Sequence, residues 1–206
     1  DLACLITKNN TNPFFVKMKE GAEAAATAAG LDFQAYAGEK DGDAAPQITA
    51  IENCVAAGAK GILITPSNDS VGPALKDARA AGILVIALDT PLADTEAQDI
   101  TFATDNFEAG LLIGKWAAAT MGDTSKAKIA MLDINKDNIS VDVARDTGFL
   151  VGFGIEVPDL TVMGSETDPR VIGHETSDAN PEGGLRAMET LLAKDPDINV
   201  VYTINE

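Results

Sequence analysis

Polar side chains follow several apolar runs of this sequence, and their types suit the binding of a neutral ligand. In the first half of the chain, Lys8 and Asn12 follow one such run, whereas Asp89 and Thr90 follow another. A carboxylate can accept two parallel hydrogen bonds, and an amide both donates and accepts. These residues therefore predict a site for a hydroxyl-rich molecule.

A second set of the same character occurs in the second half of the chain. Its members are Thr104, Asp137, Asn138, Arg145 and Asn205. Each of them alone is equally well explained as a helix cap or a turn residue. As a set they predict that both halves supply hydrogen bonds to the ligand, with Asp89 in the first half and Arg145 in the second.

Two adjacent aromatic residues, Phe14 and Phe15, begin a predicted helix directly behind Asn12 and Pro13. Asn is a good N-cap, and proline is well tolerated in the first turn of a helix. Only one of the two rings can face the core. We expect one ring to anchor the helix and the other, with Phe15 favoured, to stack on the C–H face of a sugar.

Motifs for catalysis are absent from the sequence. No nucleophile elbow, phosphate-binding loop or zinc-protease helix occurs, and His174 has no partner motif. Asp133, Asn135 and Asp137 imitate the start of a calcium loop, but Ala144 occupies the position of its last ligand. The sequence therefore predicts a binding protein, not an enzyme, with neither a metal ion nor a cofactor.

Apolar runs without alternation are separated by helical patterns, which is typical of parallel strands covered on both faces. The pattern restarts after a polar connection, which predicts two α/β domains with doubly wound sheets, 1–103 and 104–206. The segment 155–170 is irregular, with a short strand expected at 160–163. The predicted strands are 2–7, 31–37, 61–64, 84–88, 101–103, 128–133, 171–174 and 199–203, and the predicted helices are 14–29, 43–57, 71–81, 106–121, 141–153 and 181–193.

Charge and cysteine content limit the function further. The 206 residues carry a formal net charge of -17, which disfavours binding to nucleic acid or to anionic lipid.

Cys4 and Cys54 match no metal or redox motif, and helix 43–57 can cross over strand 2–7. Buried free thiols are favoured, with a disulfide as the alternative. The chain stops just after a strand, so we expect it to be a fragment.

Six short motifs, in this order along the chain, resemble those of the periplasmic sugar-binding proteins of ABC importers, and above all their ribose-binding branch. The resemblance covers nearly the whole chain. The motifs are Asn10-Thr11-Asn12-Pro13-Phe14-Phe15, Ile64-Thr65-Pro66-Ser67, Ala87-Leu88-Asp89-Thr90-Pro91, Thr104-Asp105-Asn106, Arg145-x-x-Gly148-Phe149 and Ile204-Asn205-Glu206.

The resemblance implies two flavodoxin-like domains that close about a hinge on a monosaccharide, in a type I fold. It also implies an exported, periplasmic monomer whose signal peptide has been removed. The partners would be the membrane permease of an ABC importer and, in some proteins of this kind, a chemoreceptor. Phe14 and Phe15 would include the stacking ring. The hydrogen-bonding residues would be Lys8, Asn12, Asp89, Thr104, Arg145 and Asn205.

Two departures from the ribose-type pattern bear on the ligand. Thr90 stands where that pattern has arginine, and Ala179-Asn180 replaces an aromatic of the second domain. The forms Thr7-Lys8 and Asp89-Thr90-Pro91 are closer to the fructose-type subgroup, so we expect fructose or a related ketose or polyol, with ribose as the alternative. A lactose-repressor-type regulator with the same core is the alternative function, but the net charge of -17 disfavours operator binding and we expect no DNA-binding segment before Asp1.

Overall fold

The computed structural model describes residues 1–205, and Glu206 lies outside the described residues. The chain divides into two compact units, the first from Asp1 to Ala103 and the second beginning at Thr104. Within the described part, every helix is too short or too polar to cross a lipid bilayer. The two units are described separately below.

The first unit is a five-stranded parallel sheet in the order β2-β1-β3-β4-β5. Non-alternating Ile, Leu and Val in its inner strands suit a sheet that is covered on both faces. The helices that connect these strands confirm the predicted α/β class. The strands are β1 (Leu2–Thr7), β2 (Asp32–Ala37), β3 (Gly61–Ile64), β4 (Leu84–Leu88) and β5 (Ile100–Phe102), and the helices are α1 (Pro13–Ala29), α2 (Ala45–Ala56) and α3 (Gly72–Ala80).

Local sequence signals set the ends of helix α1. The side chain of Asn12 accepts a hydrogen bond from the backbone N–H of Phe14, and Pro13 occupies the first turn. The helix ends at Gly30, which adopts the left-handed conformation with φ of 67° and so terminates the helix without a Cβ penalty. The cap therefore holds the start of α1 next to the carboxyl end of β1.

A disulfide joins Cys4 of β1 to Cys54 of α2, with a Cα–Cα distance of 6.4 Å. The sequence favoured free thiols, and the structure contains the alternative. Both residues are fully buried in one apolar core with Ile6, Ile51 and Leu75. Packing of α2 across β1 brings together two cysteines that are 50 residues apart in the chain.

The second unit contains a three-stranded parallel sheet in the order β7-β6-β8. Strand β6 lies in the centre of this sheet, and all five of its residues are buried. The strands are β6 (Ile129–Asp133), β7 (Val171–Thr176) and β8 (Val200–Thr203), and the helices are α4 (Asn106–Met121), α5 (Ser140–Phe153) and α6 (Pro181–Lys194).

Helices α4 and α5 pack with their backbones in direct contact, through Gly110 and Gly114 of α4 and Gly148 and Gly152 of α5. A methyl group added at any of these glycines would overlap the backbone of the other helix. Glycine costs helix stability relative to alanine. The sequence therefore gives up helix propensity at these positions to obtain a close helix–helix approach.

We expect Gly114→Ala to destabilise the protein by about 1–3 kcal/mol, although alanine is the better helix former. The new methyl group would overlap the carbonyl oxygen of Phe149 and force the two helices apart. Urea unfolding measures the effect. Gly21→Ala in helix α1 is the matched control, because a methyl group there meets no atom and is expected to stabilise.

The short strand expected at 160–163 is absent, and that prediction is wrong. The segment folds as a series of turns, in which Asp159 Oδ1 accepts hydrogen bonds from the backbone N–H and the hydroxyl group of Thr161. An aspartate that bonds to the backbone two residues ahead stabilises a turn and competes with strand pairing.

Candidate functional site

Lys8 stands directly after strand β1 and is almost completely buried, with 2% of its surface exposed. Its Nζ lies 3.6 Å from Asp41 Oδ1 and 4.0 Å from Asp89 Oδ2. Its backbone N–H donates to the hydroxyl group of Thr65 over 3.0 Å. One buried ammonium group is thus flanked by two carboxylates at the carboxyl edge of the first sheet.

The sequence prediction included Lys8 and Asp89 but missed Asp41. Asp41 lies in the loop after β2, within Lys40-Asp41-Gly42-Asp43. Asp41 follows the second strand in the way that Lys8 follows the first and Asp89 the fourth, and this position is the sequence signal for it. The edge of a parallel sheet is the usual location of ligand sites in folds of this class.

Asp89 has a backbone φ of 64°, which is unusual for a residue other than glycine. Its N–H donates to the carbonyl oxygen of Phe102 over 2.8 Å, and Thr90 Oγ1 donates to Asp89 Oδ2 over 2.9 Å. Strained backbone of this kind occurs preferentially at functional sites. The conformation is fixed by its neighbours, so the Asp89 carboxylate has a defined direction.

Asn12 belongs to a compact polar loop between β1 and α1. Asn9 Oδ1 accepts hydrogen bonds from the backbone N–H groups of Thr11 and Asn12, and Asn9 Nδ2 donates to Asp41 Oδ2 over 3.4 Å. Asn12 itself caps helix α1. The loop is therefore ordered by its own side chains, and this order fixes the position of Asn12.

The two adjacent aromatic rings have different environments. Phe15 is 6% exposed, whereas Phe14 is 51% exposed. Their ring centroids are 5.3 Å apart in an edge-on arrangement. The sequence favoured Phe15 as the ring that faces the ligand, but in the structure Phe15 is the anchor and Phe14 is the free surface. Exposure therefore favours Phe14 over Phe15 as the candidate for the stacking ring.

In the second unit, Arg145 of α5 is held by residues from two other segments. Its Nε donates to Asn106 Oδ1 over 2.7 Å, and one of its terminal nitrogens donates to the carbonyl oxygen of Ile204 over 3.3 Å. Asn106 Nδ2 in turn donates to the carbonyl oxygen of Thr104. The guanidinium group is thus oriented beside the end of β8, next to the half-buried Asn205.

Backbone contacts reinforce the position of Arg145. The hydroxyl group of Tyr202 donates to the Arg145 carbonyl oxygen over 3.2 Å. The Tyr202 ring stacks on Phe149, with centroids 4.1 Å apart and planes at 12°. A stacked aromatic pair therefore connects strand β8 to the turn of α5 that carries Arg145.

The remaining predicted residues of the second unit lie in a different setting. Asp137 and Asn138 are exposed in the loop between β6 and α5. The Asp137 N–H donates to Asn135 Oδ1, and Asn138 Oδ1 accepts from the Met163 N–H over 3.4 Å. The contacts seen in the described residues do not join this loop to the Arg145 group.

A buried cluster of ionisable side chains surrounds His174, and the sequence did not predict it. His174 Nδ1 is 3.1 Å from Asp133 Oδ2 and 3.5 Å from Asp146 Oδ2, and His174 Nε2 is 2.8 Å from Glu166 Oε1. Burial lowers the pKa of His174, but hydrogen bonds to Asp133 and Glu166 outweigh burial and raise the pKa to about 10.

Two acidic residues, Asp142 and Asp146, lie on the buried face of helix α5. Burial raises the pKa of Asp142 to about 7 and that of Asp146 to about 8. Asp142 Oδ2 accepts from the Ile134 N–H over 2.8 Å and so fixes the loop after β6. Two aspartates one turn apart within a mainly apolar helix were the sequence signal for this cluster.

The family model described as a periplasmic binding protein domain matches residues 3–206. The ribose import binding protein RbsB of Escherichia coli is 27% identical over 208 residues, which cover 100% of this chain and 64% of that protein. The D-apiose import binding protein of Paraburkholderia graminis is 24% identical, with 100% and 62% covered.

Solved structures give the same result for the fold. An ABC transporter periplasmic solute binding protein from Actinobacillus succinogenes with bound D-allose has a TM-score of 0.81 at 25% identity, covering 100% of this chain and 69% of that chain. The periplasmic component of a sugar transport system from Hahella chejuensis has a TM-score of 0.82 at 27% identity, covering 100% and 71%. The chain spans a little under two thirds of the curated relatives.

Proposed function

The chain belongs to the periplasmic binding protein family and has its type I fold, and we propose that it captures a monosaccharide by hinge closure and delivers it to an ABC importer. The partner would be the membrane permease, and the site of action the periplasm. The observation that carries the proposal is the fixed polar group Lys8–Asp41–Asp89 at the carboxyl edge of the first sheet.

The chemistry of both units supports a neutral sugar. Asp89 and Arg145 are each held in one orientation by neighbouring groups and can form directed hydrogen bonds to hydroxyl groups. The exposed ring of Phe14 offers an apolar face of the size of a sugar ring. We therefore propose Phe14 as the stacking residue, with Asn12, Thr104 and Asn205 as further hydrogen-bonding candidates.

Two positions bear on which sugar is bound. Thr90 is buried, and its hydroxyl group donates to Asp89, so it holds the carboxylate in place of the ribose-type arginine. Asn180 caps helix α6 by accepting from the Gly183 N–H, at the position that lacks the ribose-type aromatic. We propose fructose or a related ketose or polyol as the ligand, with ribose as the alternative.

The test is a thermal-shift panel of purified protein against fructose, ribose, allose, apiose and sugar alcohols. At a ligand concentration of about 100 times Kd, binding adds about 2.7 kcal/mol and raises Tm by about 5–10 °C for a chain of this size. A shift with a ketose but not with ribose supports the full proposal. A shift with ribose alone overturns the ketose assignment, and no shift with any sugar overturns sugar binding.

A further inference from the structure

Three carboxylates surround the imidazole ring of His174 inside the second unit. The side chains of Asp133, Asp146 and Glu166 are 6%, 0% and 4% exposed, and that of His174 is 17% exposed. They come from strand β6, helix α5, the segment before β7 and strand β7. Four separate parts of the chain therefore meet at one buried point.

The orientation of the imidazole ring is the first argument for a metal ion. Nε2 is paired with Glu166 over 2.8 Å, so this nitrogen can carry the proton and Nδ1 can present its lone pair. Nδ1 faces Asp133 and Asp146 together. A carboxylate that holds the far side of a histidine ring is the usual second shell of a metal-bound histidine.

Unpaired carboxylate oxygens are the second and independent argument. Within the described residues, neither oxygen of the fully buried Asp146 has a hydrogen-bond partner, and the second oxygen of Glu166 also has none. Asp146 nevertheless lies 3.5 Å from His174 Nδ1. A buried polar atom left without a partner costs about 1–3 kcal/mol, and more if charged, so the two unpartnered oxygens of Asp146 favour a cation bound beside Asp133 and His174.

Charge balance points the same way. In the part of the chain that the structure describes, no lysine or arginine is within ion-pair distance of Asp133, Asp146 or Glu166. Buried charges are normally paired or bound to metal ions.

We propose that Asp133, Asp146 and His174 bind a divalent transition-metal ion, with Zn²⁺ as the preferred ion and Glu166 orienting the histidine. The three ligand atoms lie within 4.8 Å of one another. Zinc bonds of about 2.0–2.2 Å place tetrahedral ligand atoms about 3.3 Å apart, close to the 3.1 and 3.5 Å from Nδ1 to the two carboxylates. The imidazole ligand disfavours Ca²⁺ and Mg²⁺, which prefer oxygen.

A cavity of about 260 Å³ reaches two of the three proposed ligands. Asp133 and His174 line it together with Asn135, Gly164 and Thr176. The cavity leaves room for water as a further ligand. This metal site does not depend on the proposed sugar function, and its role would be to tie β6, β7 and α5 together.

The experiment is a titration of chelator-treated protein with Zn²⁺ at neutral pH, followed by calorimetry and by thermal unfolding. We expect one ion per chain, a raised Tm, and a loss of affinity of about 100-fold or more in Asp146→Asn and about 10- to 100-fold in Glu166→Gln. Asp195→Asn is the control, because this partly buried aspartate pairs with Lys128 in the same unit, away from the cluster, and the variant should bind zinc as the wild type does.

Two results would overturn the proposal. One is a wild-type protein without saturable binding, and the other is an Asp146→Asn variant with unchanged affinity. A more stable Asp146→Asn variant together with no zinc binding by the wild type would assign a shared proton to the cluster instead. If Asp146→Asn does not fold, X-ray absorption of the zinc-loaded wild type decides. Imidazole and carboxylate ligands support the site, and their absence refutes it.

Discussion

Asp89→Asn is expected to weaken sugar binding by about 10- to 100-fold, the equivalent of one charged hydrogen bond. Asparagine tolerates the backbone φ of 64° at this position, so the substitution removes the charge without straining the chain. Calorimetry with the sugar found in the thermal-shift panel measures the change, and urea unfolding checks that the protein keeps its stability.

Two control variants separate ligand binding from pairing with Lys8. Asp41→Asn removes the charge of the other carboxylate beside Lys8, and Asp94→Asn removes the charge from an exposed pair with Lys76. If Asp89 serves only as a counter-ion, Asp89→Asn and Asp41→Asn will lower stability alike and leave affinity intact. Arg145→Ala is the counterpart in the second unit. If Asp89→Asn and Arg145→Ala both bind the sugar with the affinity of the wild type, the proposed site is refuted.

Removal of the disulfide by the double substitution Cys4→Ala and Cys54→Ala is expected to cost about 2–4 kcal/mol of unfolding free energy. The bond closes a loop with a sequence separation of 50 residues, and both sulfur atoms lie in the core between β1 and α2. Urea unfolding under oxidising conditions measures the loss.

Adding a reductant to the wild type and to the double variant is the control for this prediction. The wild type should lose a similar amount of stability when reductant is added, whereas the double variant should not respond. Denatured wild-type protein should contain no titratable thiol before reduction. Two free thiols in the oxidised protein, or a wild type insensitive to reductant, would contradict the assignment.

Most element boundaries could be predicted because their signals are local. Asn12-Pro13 and Asn180-Pro181 begin α1 and α6 as expected, since capping depends on residues within one turn. The apolar run Gly61–Ile64 coincides with β3. Repeated strand–helix alternation was sufficient to predict parallel sheets.

Features that depend on distant contacts could not be predicted in the same way. The pairing of Lys8 with Asp41, the disulfide and the cluster around His174 each join residues from different elements. A lone histidine has no local pattern that reports its partners. Which of Phe14 and Phe15 is buried depends on how α1 packs on the sheet, and two adjacent residues of the same type do not encode this.

The close glycine contact between α4 and α5 gives substitutions outside the proposed site a way to alter ligand affinity. Gly110 touches the carbonyl group of Arg145, so the backbone of this proposed binding residue lies directly against another helix. A larger residue at 110 would shift the Arg145 backbone while leaving its side chain chemically intact. Affinity could thus be tuned during evolution by the size of a residue that never meets the sugar, and libraries aimed at altered specificity gain from including position 110.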